Sequence, residues 1–239
     1  ILNFFYTEHF KKIQNEELFL KRMQFPNKGE IRFGYMGNLH SSKGFHVVAK
    51  YWKQIKKIAF KYNLRPSLHV IGGNVYLKRG YKFLTELPTE NNYANFILKQ
   101  FDNNMKIPSD VSFYGILENP FKILQSLDIC CVNPIGVGET ASSTILELYT
   151  LGIPVITSSR YGLSDYARYA PELTIRRNNQ LPKAFERWLK MGLDKRKSFL
   201  NRQFIIASMR EGENKASANK WFNLASDFDD QPFYLSPVP

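Results

Sequence analysis

From Arg32 onward, short apolar runs alternate with long amphipathic stretches, an order that fits a parallel sheet crossed by helices. Six runs read as strands: Ile31 to Met36, Ser67 to Ile71, Val111 to Tyr114, Ile129 to Val132, Pro154 to Thr157, and Leu173 to Ile175. Within Gly44 to Tyr62, the residues Val47, Val48, Tyr51, Ile55, Ile58, Ala59 and Tyr62 recur at helical spacing. That spacing predicts a helix on the sheet, with Lys50, Lys53, Lys57 and Lys61 on a solvated face. A short helix is expected over Pro120 to Ser126, and two more between Gln180 and Phe228, broken near Gly192 and loosened at Gly212. The expected architecture is α/β: a doubly wound, Rossmann-like parallel sheet of about six strands with helices on both faces.

The chain divides into an N-terminal helical or linker segment (1–30), one α/β domain (31–228) and an extended tail (229–239) too rich in proline to continue a helix. The first segment alternates aromatic and basic groups. It suits a helix docked on the domain or one lying on a membrane surface, although Glu8, Glu16 and Glu17 oppose attraction to anionic lipid. Asn74 to Asn104 is a polar, aromatic-rich insert expected to hold two helices, and its residues suggest no role. The opening Ile1, with no signal pattern after it, leads to the expectation of a fragment of a longer protein.

Composition narrows the class. Hydrophobic residues at 44% and charged ones at 23% fit a globular chain, and no apolar run is long enough to cross a bilayer as a helix. A formal charge of +12 draws phosphates, nucleic acids or anionic membranes without choosing among them, and a coding bias toward Lys, Asn, Ile and Phe explains it equally well. Cys130 and Cys131 are neighbours on an expected strand, so they point to opposite faces and a bridge between them would be strained. With no disulfide framework and no metal-ligand spacing, the natural setting is a reducing compartment, the cytosol, with no metal site.

Two segments carry chemistry. The first is the glycine-bounded loop Gly37-Asn38-Leu39-His40-Ser41-Ser42-Lys43-Gly44 between the first strand and its helix. Ligands of open parallel sheets bind at the carboxyl ends of strands, where its backbone N–H groups and Lys43 could face a diphosphate. The loop lacks the glycine spacing of a dinucleotide fingerprint and is no P-loop, so a nicotinamide cofactor is not expected. Read plainly, it is also a βα turn with an exposed lysine.

The second runs from Glu139 through Thr140-Ala141-Ser142-Ser143-Thr144 to Glu147. Its small residues would let a phosphate approach a helix start, whose free N–H groups favour an anion. Glu147 would then suit the neutral diol of a ribose, since one carboxylate accepts from two adjacent hydroxyls. Thr144 and Glu147 equally spell a capping box, while for Glu139 the weaker alternative is a solvated loop carboxylate.

Five pieces in order resemble the donor half of the retaining GT-B glycosyltransferases typified by sucrose, glycogen and mannosyl-lipid synthases (glycosyltransferase family 4, glycosyl transferases group 1). They are Gly37-Asn-Leu-x-x-x-Lys43-Gly44, Ile71-Gly72-Gly73, Val111-Ser-Phe-Tyr-Gly115, Glu139-x7-Glu147 and Gly152-Ile-Pro-Val-Ile-Thr157. The resemblance implies the carboxyl-terminal half of a GT-B fold over 31–228, holding a UDP- or GDP-sugar as substrate and using no separate cofactor. It implies retaining transfer of a hexosyl group to a glycan or lipid-linked acceptor. In those terms Lys43 binds the donor diphosphate, Glu139 contacts the transferred sugar near the reacting centre, and Glu147 holds the ribose. Ile116 and Leu117 meet the nucleobase. Gly37, Asn38, Gly72, Gly73, Ser142, Ser143 and Thr144 complete the donor cradle, with Lys43 and Glu139 as the catalytic pair.

The sequence departs from that pattern at Asn38, where many members carry arginine, and at Thr140-Ala141-Ser142, where Gly-Phe-Gly is common. The resemblance also implies partners, an acceptor domain not contained in this chain and the acceptor itself; contact with the inner face of a membrane is the alternative expectation for the N-terminal segment, and nucleic acid is not expected. The rival readings are a nucleotide-sugar epimerase or phosphorylase on the same architecture, and a non-catalytic binding module of the same fold.

Overall fold

The computed structural model describes residues 29–73, 91–102, 104–139, 142–203 and 205–207. Six parallel strands form one sheet in the order β3-β2-β1-β4-β5-β6, where β1 is Glu30–Met36, β2 Arg65–Ile71, β3 Val111–Gly115, β4 Ile129–Val132, β5 Val155–Ser158 and β6 Thr174–Ile175. Each strand expected from the apolar runs is present, most with ends shifted by a residue or two. Hydrogen bonding, rather than hydrophobicity, sets those ends: the polar Arg65 pairs with Glu30, and Pro154 gives up its place to Val155.

The helices are α1 (Phe45–Lys61), α2 (Asn91–Phe101), α3 (Phe121–Ser126), α4 (Ser143–Thr150), α5 (Ser164–Tyr169), α6 (Leu181–Lys190) and α7, which runs over 193–203 and again over 205–207. They cover both faces of the sheet, and the alternation of side chains along the strands decides which core each residue joins. Phe33 and Tyr35 of β1, Leu68 and Val70 of β2 and Cys131 of β4 pack with Trp52 and Ile55 of α1, Phe101 of α2, and Phe185 and Trp188 of α6. Cys130 and Val132 of β4 pack on the other face with Leu124 of α3, Ile145 and Leu148 of α4, and Tyr166 of α5. The adjacent cysteines are therefore both buried and unbridged, one in each core. Gly34 marks how tightly the second face packs, since a Cβ there would lie 2.5 Å from Leu127 Cδ1.

The segment 74–90, the residues before 29 and those after 207 lie outside the described residues, and with them the expected first helix of the insert, the N-terminal segment and the proline-rich tail. Where the sequence reading left 158–172 unassigned, the structure has a turn of 3-10 helix at Tyr161–Leu163 running into α5.

The order of strands matters for function. The chain leaves β1 toward β2 and β3 on one side and returns to β4, β5 and β6 on the other, so β1 and β4 flank the point where the winding reverses. Loops leaving neighbouring strands on opposite faces diverge there and open a crevice at the carboxyl ends.

Candidate functional site

The loop after β1 is held by main-chain contacts. Gly37 N–H donates to Ile71 O at 3.1 Å, and Gly72 N–H donates to Gly115 O at 2.8 Å, which ties together the carboxyl ends of β1, β2 and β3. Gly72 stands at φ 114°, and a Cβ on it would lie 2.3 Å from Gly37 O, so no other residue fits. Gly73 is buried just beyond, Asn38 is exposed, and at the end of β3 Ile116 is exposed while Leu117 packs partly into the second core. Tyr35, fully buried beneath the loop, donates its hydroxyl to Lys43 O at 2.9 Å. Burial pushes the Tyr35 pKa well up, which keeps the phenol a donor. His40 caps the single 3-10 turn Ser41–Lys43 by accepting from Ser42 N–H at 3.2 Å.

Lys43 is neither solvated nor idle. Its Nζ lies 2.8 Å from Glu139 Oε2, across the crevice and 96 residues on, with side-chain exposures of only 26% and 15%. The plain reading of an exposed lysine and a solvated carboxylate therefore fails for both. Glu139 is fixed further by its backbone, whose carbonyl accepts from Gly162 N–H at 3.1 Å. Sequence reasoning missed Asn133, just after β4, which donates to Glu139 Oε2 at 3.1 Å. It also missed Arg160, at the same end of the sheet, whose guanidinium donates to Arg176 O at 3.2 Å. Nothing in the sequence separated Asn133 from an ordinary turn residue, because its meaning lies in a contact.

The helix start is also settled. Ser142 is the N-cap of α4, accepting from Ile145 N–H at 3.4 Å, so Thr144 lies inside the helix and the capping box of Thr144 with Glu147 does not form. Ser142 is buried and committed to this cap, while Ser143 is exposed and Thr144 half-buried at the helix mouth. The N–H groups of a first helical turn have no intrahelical acceptor, and here they open toward the same carboxyl end of the sheet. Glu147 follows little more than one turn in. No described residue donates to its carboxylate, and burial raises its pKa.

The residues singled out from the sequence thus fall in the loops at the carboxyl ends of β1, β2, β3 and β4 or at the start of α4. The structure joins Lys43 directly to Glu139, but Glu147 stands apart from that pair, linked to it only by position. A separate cleft of about 640 Å3, lined by Glu172, Arg187, Lys190, Gly192 and Lys195, opens at the opposite edge, where α6 ends and β6 begins. The described residues contain no helix long and apolar enough to cross a membrane and no cluster of potential metal ligands.

An open, doubly wound parallel sheet with helices on both faces defines the class of fold. The model of the glycosyl transferases group 1 family matches residues 17–203, and the chain belongs to that family. Comparison with curated proteins finds no match. Among solved structures, the chain resembles Anabaena HepE in complex with UDP-glucose at 14% identity and a TM-score of 0.64, over 87% of this chain and 53% of that one. It also resembles WaaG, a glycosyltransferase involved in lipopolysaccharide biosynthesis, at 15% identity and a TM-score of 0.53, over 82% of this chain and 47% of the other. A third is a trehalose-6-phosphate synthase studied for glycosyl transfer with retention, at 11% identity and a TM-score of 0.53, over 81% and 46%. The shared feature is the α/β fold, and the chain spans about half the length of these structures.

Proposed function

We propose that this chain is the donor-binding half of a retaining glycosyltransferase, holding a UDP- or GDP-sugar in the crevice between β1 and β4. The observation that carries the reading is the Lys43–Glu139 pair at 2.8 Å, with a Glu147 carboxyl on the adjoining helix that takes no donor among the described residues. Lys43 and the mouth of α4 supply positive charge for a diphosphate, and Glu147 supplies two acceptor oxygens for a ribose diol. Glu139 accepts from hydroxyls of the transferred sugar. The structures of HepE with UDP-glucose and of a synthase that transfers with retention support the donor class and the stereochemical outcome.

In this mechanism the bond from the anomeric carbon to the diphosphate oxygen breaks as the acceptor oxygen bonds to that carbon on the same face, and the acceptor's hydroxyl proton passes to the departing phosphate oxygen. The departing diphosphate gains negative charge, which the Lys43 ammonium and the helix mouth stabilise in place, an electrostatic contribution. The acceptor, a hydroxyl of a glycan or of a lipid-linked sugar, is brought by a second domain closing over the donor and excluding water. Such work in polysaccharide or glycoconjugate synthesis belongs in the cytoplasm, at the inner face of a membrane when the acceptor is lipid-linked.

A melting-temperature screen against UDP, GDP, UDP-glucose and GDP-mannose tests the reading, because a ligand at about a hundred times its Kd adds roughly 2.7 kcal/mol to the folded state. At least one nucleoside diphosphate or its sugar raises the melting temperature. A rise with DNA or RNA and with none of these contradicts the proposal and favours a binding module of the same fold.

A further inference from the structure

Asn133, in the turn after β4, holds a left-handed backbone conformation. It stands at φ 38° and is 2% exposed. That left-handed conformation is sparsely populated by residues other than glycine, and a following proline, here Pro134, biases the preceding residue toward extended backbone. Strain of this kind persists only where the surroundings over-determine it. Three hydrogen bonds do so. Oδ1 accepts from Gly136 N–H at 2.9 Å, while Nδ2 donates to Val137 O at 3.2 Å and to Glu139 Oε2 at 3.1 Å. The amide cannot be turned over, since that would set its NH2 against the Gly136 N–H and its oxygen against a carbonyl and a carboxylate.

The first two bonds build the turn. The third does not, and it completes an asymmetric carboxylate: Oε2 of Glu139 takes both Lys43 and Asn133, and Oε1 takes no donor among the described residues. We propose that Asn133 is a positioning residue that orients the Glu139 carboxylate so that Oε1 is offered to a hydroxyl of the donor sugar. The inference rests on Glu139 being the sugar contact. Lys43 alone could not hold that orientation, because a bound diphosphate competes for the same ammonium, whereas the buried amide of Asn133 faces only the protein. Asn133 thus separates the sugar-bearing nucleotide from the bare diphosphate.

The test measures Kd for UDP and for UDP-glucose by calorimetry on the 239-residue chain, its Asn133→Gly, Asn133→Asp and Glu139→Ala variants, and the double variant Asn133→Gly/Glu139→Ala. Glycine keeps the left-handed backbone and removes the amide. Asn133→Gly weakens UDP-glucose roughly fivefold, the usual worth of one hydrogen bond, leaves UDP within about twofold, and costs nothing further once Glu139 is alanine. Asn133→Asp keeps the acceptor for Gly136 N–H but sets a second carboxyl against Glu139, so UDP-glucose binding weakens as pH rises and the shared proton is lost. An equal loss for both ligands, or a loss that persists in the Glu139→Ala background, overturns the proposal alone. If Glu139→Ala leaves UDP-glucose affinity untouched, the assignment of Glu139 to the sugar falls and this inference with it.

Discussion

The loop leaving β1 is tied to its neighbouring strands by main-chain atoms, whereas the loop leaving β4 adds side-chain contacts to its main-chain ones. On the first side, Gly37, Gly72 and Gly115 bring three strand ends into backbone contact, and even the supporting Tyr35 hydroxyl bonds a carbonyl. On the second, Asn133 and Lys43 hold Glu139 through amide and ammonium groups, and Ser142 caps α4 with its hydroxyl. A backbone floor is rigid and blind to side-chain identity, which suits a diphosphate common to many donors. A side-chain wall can be altered one contact at a time, which suits the part of the ligand that varies. Damage to the backbone contacts of the first loop should therefore appear as lost stability, and damage to the side-chain contacts of the second as lost ligand.

The sharpest way to break this contrast is to make one substitution against each loop. Gly72→Ala places a methyl 2.3 Å from a backbone oxygen at φ 114°, so nothing can yield cheaply. We expect a loss of about 2–5 kcal/mol in denaturant unfolding, the sum of backbone strain and overpacking. Gly136→Ala, at φ 77°, meets Ser158 Oγ at 2.9 Å, which can rotate away, and Arg160 Cβ at 2.9 Å, which yields only if its backbone shifts. It should cost roughly 1–3 kcal/mol while displacing the Glu139 loop, so that UDP-glucose affinity falls more than UDP affinity does. Equal behaviour of the two variants would erase the distinction.

A gentler probe is Glu147. Burial raises its folded pKa above the unfolded value, so the native state binds more protons through that window and stability declines as pH climbs through it. Glu147→Gln removes that decline. Melting curves from about pH 4 to about pH 8 should show the variant matching the parent in acid and exceeding it increasingly above the ordinary carboxylate range. A parent that gains stability across this window relative to the variant would mean that Glu147 is already satisfied. The smallest effect is expected at Glu30→Gln, where the exposed pairing with Arg65 at 3.4 Å contributes less than about 0.5 kcal/mol in urea unfolding.

The sheet was legible because buried strands announce themselves: Ile31, Phe33 and Tyr35, or Ile129 to Val132, are apolar whatever surrounds them. The opposite facing of Cys130 and Cys131 followed from strand geometry in the same way. Helix α5 was not legible, because Ser164–Tyr169 buries only Tyr166 and Ala167, too few positions to set a period. At the site, residue type and loop position picked out Lys43, Glu139 and Glu147. Pairing did not follow: that Lys43 reaches Glu139 depends on β1 lying beside β4, a crossover that local patterns do not encode. Capping misled for a related reason, since both Ser142 and Thr144 offer a hydroxyl and only the end of the preceding loop decides which one begins the helix.

The central claim is that one nucleoside diphosphate spans from Lys43 to Glu147. Calorimetric titration of UDP and GDP into the parent chain and into Lys43→Ala and Glu147→Ala addresses it directly. The account predicts that at least one of the two nucleotides binds the parent and that each variant weakens it about tenfold or more, as loss of a charge-assisted contact does. Unchanged affinity in both variants would contradict it.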